Sequence, residues 1–255
     1  ALTEMESLGV DHATRVFFTI DTPHRGAYTS YAVQWFVQYF AKTIPEMAQF
    51  SGLLNSPSNQ QFITNWFDGQ TVAPSPMRSQ MLAQLKANGN FPKRPSCYAV
   101  ACGRGDGKVI APANSDMFDW SGTPFFEAHT QTLPDAASGA QSVGHGTTLV
   151  PAPGVVDDLE VTSDVSWEGM PGGYNQYSAL AAMTAMALGC GKVESKLPSS
   201  CAIPTISALD LDMPPDAPVP SPARGNSPFD DYFYPATNLP HVQMSPEMSE
   251  WLLTK

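Results

Sequence analysis

The sequence predicts an α/β fold, and two apolar runs, each ending in a polar turn, carry that prediction. Arg15 to Ile20 (RVFFTI) is β-branched and aromatic with apolar residues in succession, the pattern of a strand buried on both faces as in a parallel sheet. It stops at a polar turn, Asp21-Thr22-Pro23-His24-Arg25-Gly26. Cys97 to Cys102 (CYAVAC) repeats the pattern and runs into Gly103-Arg104-Gly105-Asp106-Gly107. Helix, buried strand and then a polar turn is the order of an α/β chain, and in such folds ligands gather at the carboxyl ends of the strands. Composition agrees: 42% of the 255 residues are hydrophobic, enough for a core at this length, while 19 Gly and 24 Pro require many loops.

Taken in order, Ala1 to Leu8 reads as the tail of a helix stopped by Gly9. After the first strand, Val33, Phe36, Val37 and Phe40, then Ile44 and Met47, recur at helical spacing, with Pro45 as a break or a new start. Ser56 to Trp66 and Ser75 to Ala87 read as two further helices, the second opened by a cap and a proline at its first position. The helical segment between the two strands far exceeds the dozen or so residues a crossover needs, so it is long enough to lay a lid over the sheet. Residues 108 to 172 are rich in Gly, Pro, Ser, Thr and Asp and read as an irregular excursion with a few antiparallel strands, Val155 to Val161 among them. Tyr174 to Leu188 is an apolar helix, Ala202 to Leu211 a short extended piece, Asp212 to Pro228 a loop, and Ser245-Pro246-Glu247 caps a last helix.

Charge and spacing exclude several functions. There are 24 Asp+Glu against 13 Lys+Arg, a formal charge of -11, and the densest basic pair is Lys93-Arg94; phosphate recognition needs clustered Lys and Arg, so no nucleic-acid partner is expected. The longest apolar stretch, Tyr177 to Leu188, falls short of the roughly 20 residues of a membrane span. His12, His24, His129, His145 and His241 are scattered and no Cys/His spacing suits zinc, so no metal is expected. Cys97 and Cys102 point to opposite faces of one strand and read as buried small hydrophobes, whereas Cys190 and Cys201 bracket a short loop that a disulfide could close.

The residues that could do chemistry are a carboxylate and an imidazole. Asp106 sits on a Gly-flanked turn just past a buried strand, and His241 sits in Asn238-Leu239-Pro240-His241, a loop before the last helix. In a hydrolytic triad the acid orients the imidazole and stabilises its charged form while the imidazole takes a proton from the nucleophile. A nucleophile elbow would read Gly-x-Ser-x-Gly between strand and helix, and no stretch fits; Ser142 and Ser227 have neither the spacing nor a preceding buried strand. His24 reads as a residue that holds its turn, with Asp21 and Arg25 as local partners, and Trp35, Phe36, Tyr39 and Phe40 as core or as the wall of an acyl pocket.

At these residues the chain resembles a family. VFFTIDTPHRGA (Val16 to Ala27) is similar to the segment after the nucleophile helix in bacterial lipases and esterases of the α/β-hydrolase fold, and ALTEMESLG matches the tail of that helix. ACGRGDGKV looks like the strand and turn that carry the family's acid, IPTISAL (Ile203 to Leu209) like a V-P-x-x-S-A piece, and NLPHVQMSPEMSEWLL like the terminal histidine loop and helix. The resemblance implies one partial domain over residues 1–255, the C-terminal portion of an α/β-hydrolase sheet, with a helical lid at 28–95 and an irregular β-rich insertion at 108–172. It implies a carboxylic ester or lipid as substrate, no organic cofactor, His241 as general base and Asp106 as its acid, with Asp210 the alternative and Asp230 and Asp231 lesser candidates. It also implies an N-terminal half of the fold bearing the serine roughly ten residues before Ala1, if the helix has a usual length, and an inactive chain without it. The rivals are a binding or surface protein using the same sheet without catalysis, and a peptidase or amidase of the same fold.

Overall fold

In the computed structural model, residues 1–255 are described except 43–44, 71, 124–125, 133–139, 149–154, 162–165, 188–191 and 223–225. Helices and strands are mixed, as the sequence predicts. Helix α1 (Leu2–Ser7) ends before Gly9, whose φ of +70° suits a residue without Cβ. Strand β1 (Val16–Ile20) is next, then four helices: α2 (Tyr31–Ala41), α3 (Pro45–Leu54), α4 (Pro57–Phe62) and, after the short hairpin β2 (Trp66–Phe67) and β3 (Val72–Ala73), α5 (Pro76–Ala87). Pro45 thus starts a new helix, and the Ser75 hydroxyl caps α5 by accepting the Met77 N–H at 3.1 Å.

Strand β4 (Ser96–Val100) pairs in parallel with β1, Val16 opposite Ser96 through Ile20 opposite Val100. The segment expected to be irregular is more regular than its composition suggests. Strands β5 (Asp116–Thr123), β6 (Phe126–Gln131), β7 (Gln141–Thr148) and β8 (Val155–Val161) form an antiparallel sheet. A 3-10 turn (Trp167–Gly169), β9 (Gly172–Asn175) and α6 (Tyr177–Ala187) come next, and β10 (Lys192–Ser195) then joins that sheet beside β5. β11 (Ser200–Pro204) pairs with β9; the piece expected to be extended to Leu211 instead turns into α7 (Thr205–Ala208). β12 (Asp231–Phe233) adds a third parallel strand on the other side of β4, and α8 (Pro246–Leu253) closes the chain, capped by Ser245 as expected.

Two expectations from sequence are corrected. β1 is not buried on both faces: Val16 is 41% and Phe18 52% exposed on one face of the strand, which also lies at the border of the sheet β1-β4-β12, its second edge unpaired among the described residues. Cys201 is a buried free thiol rather than half of a disulfide; Cys190, its expected partner, lies outside the described residues.

The helical segment and the antiparallel sheet share one core. α2 is buried from Tyr31 to Phe40 except at Gln38, and all but one face of it, that of Gln34 and Gln38, is apolar. Trp35, Phe36, Tyr39 and Phe40 are all buried, and Phe36 and Phe40 pack on Phe118 and Trp120 of β5. β7 meets α2 at Gly144 and Gly146, where an added Cβ would come within 2.5 Å of the Trp35 ring and 2.8 Å of Tyr39. The buried amide of Gln34 is satisfied: it donates to Thr29 and Asn65 carbonyls and accepts the Phe67 N–H. A second core joins β4, β11 and α7, and a third sets Val100 and Cys102 against Met248 of α8.

Candidate functional site

His241 meets an aspartate, and that aspartate is Asp21. The first residue after β1, Asp21 is fully buried, and its own N–H donates to the Val100 carbonyl at 2.7 Å, which fixes it at the carboxyl end of the parallel sheet. Its φ is +46°, a left-handed position that Asp occupies more readily than most residues. Oδ1 accepts the Cys102 N–H at 2.9 Å, just past the end of β4. Oδ2 lies 2.7 Å from His241 Nδ1. An ionised carboxylate only accepts, so Nδ1 carries the proton and Nε2 is the nitrogen left for chemistry.

The loop that delivers His241 is stitched by backbone hydrogen bonds. Leu239 N–H donates to the Cys102 carbonyl (2.8 Å), Tyr174 N–H to the Leu239 carbonyl (3.1 Å), and His241 N–H to the Tyr174 carbonyl (2.9 Å). The side-chain oxygen of Asn238 accepts from Arg104 N–H (2.9 Å) and Gly172 N–H (3.1 Å). β9 therefore holds both members of the pair: Tyr174 brackets the histidine loop, and Gly173 lies so near the acid that a Cβ there would stand 1.9 Å from Asp21 Oδ2. Just beyond, Val242 takes a φ of +59°, which a β-branched residue adopts only under constraint from its surroundings.

The acids expected from sequence are engaged elsewhere. Asp106 is gripped by Arg104 through Nε and Nη2, both at 2.5 Å, and by the Lys108 N–H; the Arg104 hydrogen bonds foremost hold its carboxyl down at about 2. Asp210 pairs with Arg25 Nε at 2.9 Å; burial raises its pKa and Arg25 opposes the rise. Asp230 accepts the Cys97 N–H, and Asp231 pairs with Lys255. Arg25, expected to partner Asp21 within one turn, binds Asp210 and Asp212 instead. His24 does hold its turn, through the Thr19 hydroxyl at 3.2 Å, with its ring between Phe91 and Phe229; burial pulls its pKa down to about 4. The sequence signal for Asp21 is its place directly after an apolar strand, the same feature that favoured Asp106.

His241 borders a cavity of about 340 Å³ whose walls include Thr22, Tyr28, Thr29, Asn59, Asn175 and Tyr177. No serine is among its described lining residues, and no group of three or more His, Cys, Asp or Glu among the described residues could hold a metal ion. No described helix is long and apolar enough to cross a membrane. In comparison with known proteins the chain matches no family model, no curated protein and no solved structure.

Proposed function

We propose that this chain supplies the acid and base of a serine hydrolase acting on carboxylic esters, with His241 as general base and Asp21, in place of Asp106 or Asp210, as its orienting acid. The observation that carries this reading is the Asp21–His241 hydrogen bond at the carboxyl end of a parallel sheet, beside a cavity. The nucleophile belongs to a further part of the fold, brought in by a strand along the open edge of β1, which ends next to Asp21. In the reaction a serine hydroxyl oxygen attacks the ester carbonyl carbon while His241 Nε2 takes its proton. The carbonyl–alkoxy bond then breaks and the alcohol leaves with that proton. Water repeats the sequence on the acyl-enzyme, yielding the acid and restoring the serine. Asp21, itself buried, keeps Nδ1–H in place and balances the imidazolium charge.

The rival reading, a binding protein without catalysis, draws on the lack of a serine among the described residues lining the His241 cavity. Reading the coding sequence upstream of Ala1 separates the two. A Gly-x-Ser-x-Gly about ten to fifteen residues before Ala1 is the expected result; a stop codon or a signal-cleavage site there would overturn the hydrolase reading. Residues 1–255 alone should remain unlabelled by a fluorophosphonate probe.

A further inference from the structure

We infer that the His241 cavity continues into an apolar crevice that takes the uncharged chain of an ester, about six carbons long. The inference rests on the hydrolase reading and names its substrate class. Asn59 and Tyr177 border both the His241 cavity and a second cavity of about 160 Å³. The second is walled by three helices: Val33 and Val37 of α2, Met47, Phe50 and Leu54 of α3, and Leu180 of α6. No Asp, Glu, Lys or Arg is among the described residues lining either cavity, so a charged ligand would lose its water there without gaining an ion-pair partner.

Volume sets the length of the chain. An enclosed apolar cavity of about 150 Å³ accepts a molecule of benzene's size; the crevice has about that volume and opens to solvent where Leu53 and Leu180 are exposed. Polarity sets the direction: Thr22, Thr29, Asn175 and His241 gather at the end where the ester linkage belongs, and the helix-walled end offers only carbon apart from Asn59, Tyr177 and Thr184. Either the acyl or the alcohol part of the ester can supply such a chain, and the two are told apart by experiment.

The test is a binding series on residues 1–255, monitored through the methyl NMR signals of Leu54 and Leu180 and the imidazole signals of His241. The ligands are methyl acetate, butyrate, hexanoate and decanoate, with hexyl acetate as the alcohol-side arm. Burial of one methylene contributes about 0.8 kcal/mol, or roughly fourfold in affinity. We expect about that gain per carbon up to hexanoate and less than twofold from hexanoate to decanoate. Shifts should appear at both the crevice and His241; if hexyl acetate alone shows them, the crevice takes the alcohol side. Leu54→Trp or Leu180→Trp, each on a partly exposed side chain, should plug the crevice and remove the length dependence, with the Asp21–His241 proton resonance unchanged. Affinity indifferent to chain length, unchanged binding in both tryptophan variants, or shifts confined to the exposed Met183 and Met186 would overturn the inference. An upstream sequence without a nucleophile would end the catalytic reading and leave these binding results standing.

Discussion

Asp21 is held in a left-handed backbone position, out of water, by the Cys102 N–H and by His241. A non-glycine residue kept there costs on the order of 1–3 kcal/mol, as does Val242 next to the histidine, and such strain persists only where surrounding structure over-determines it. Asp21→Asn keeps an acceptor for Cys102 and tolerates the backbone, but turns an amide toward Nδ1 and favours the wrong tautomer. The Nδ1–H resonance of His241 should vanish from the proton spectrum, and under the proposed hydrolase reading turnover of the enzyme with its nucleophile should fall roughly 10⁴-fold. Gly173→Ala should do similar damage by steric means, since its Cβ collides with Oδ2; a stability loss of about 1–3 kcal/mol is expected in urea unfolding. His24 gives a pH signature. Its imidazole titrates near 6.5 when unfolded and at about 4 when folded, because burial penalises the charged form. The unfolded chain therefore binds more protons between those values. Stability is whole above pH 6.5 and falls as the pH drops toward 4, by up to about 3 kcal/mol. Urea midpoints at pH 7.5 and 4.5 should differ less in His24→Leu than in the parent.

At the scale of elements, α2 and the antiparallel sheet act as one body. Phe36→Ala removes a ring set against Phe40, Phe118 and Trp120, and should cost about 3–5 kcal/mol. Near- and far-ultraviolet circular dichroism should move together along the urea axis, and separate transitions would show the helix and sheet to be independent. Elements of this kind were legible to different degrees. VFFTI and CYAVAC announce strands because they are dense in apolar, β-branched and aromatic residues, and Ser75-Pro76 and Ser245-Pro246 announce helix starts because cap and proline coincide. Asp231-Tyr232-Phe233 carries too few residues to signal the third parallel strand. Strand β7 is hidden behind Gly144 and Gly146, which stand where a side chain would meet the Trp35 ring. His241 was legible from its loop before a capped helix. Its partner Asp21 carried only one signal, its place directly after an apolar strand, which Asp106 shares; Asp21-Thr22-Pro23 otherwise has the composition of an ordinary turn, and the tertiary placement of Cys102 and Gly173 shows what the carboxylate faces.

For the molecule as a whole, the border of the parallel sheet is its most exposed commitment. β1 presents Val16 and Phe18 to solvent, and an open strand edge pairs readily with other chains. Residues 1–255 should therefore self-associate as concentration rises, and Phe18→Lys should lower the sedimentation coefficient toward that of a single chain.

Asp21 and His241 stand 220 positions apart. During synthesis the carboxylate leaves the ribosome long before its imidazole is made, so the nascent polypeptide must grow through that whole interval before the pair can close. Contacts of such long range form against the entropy of the intervening loop, which makes the histidine proton a marker of finished folding.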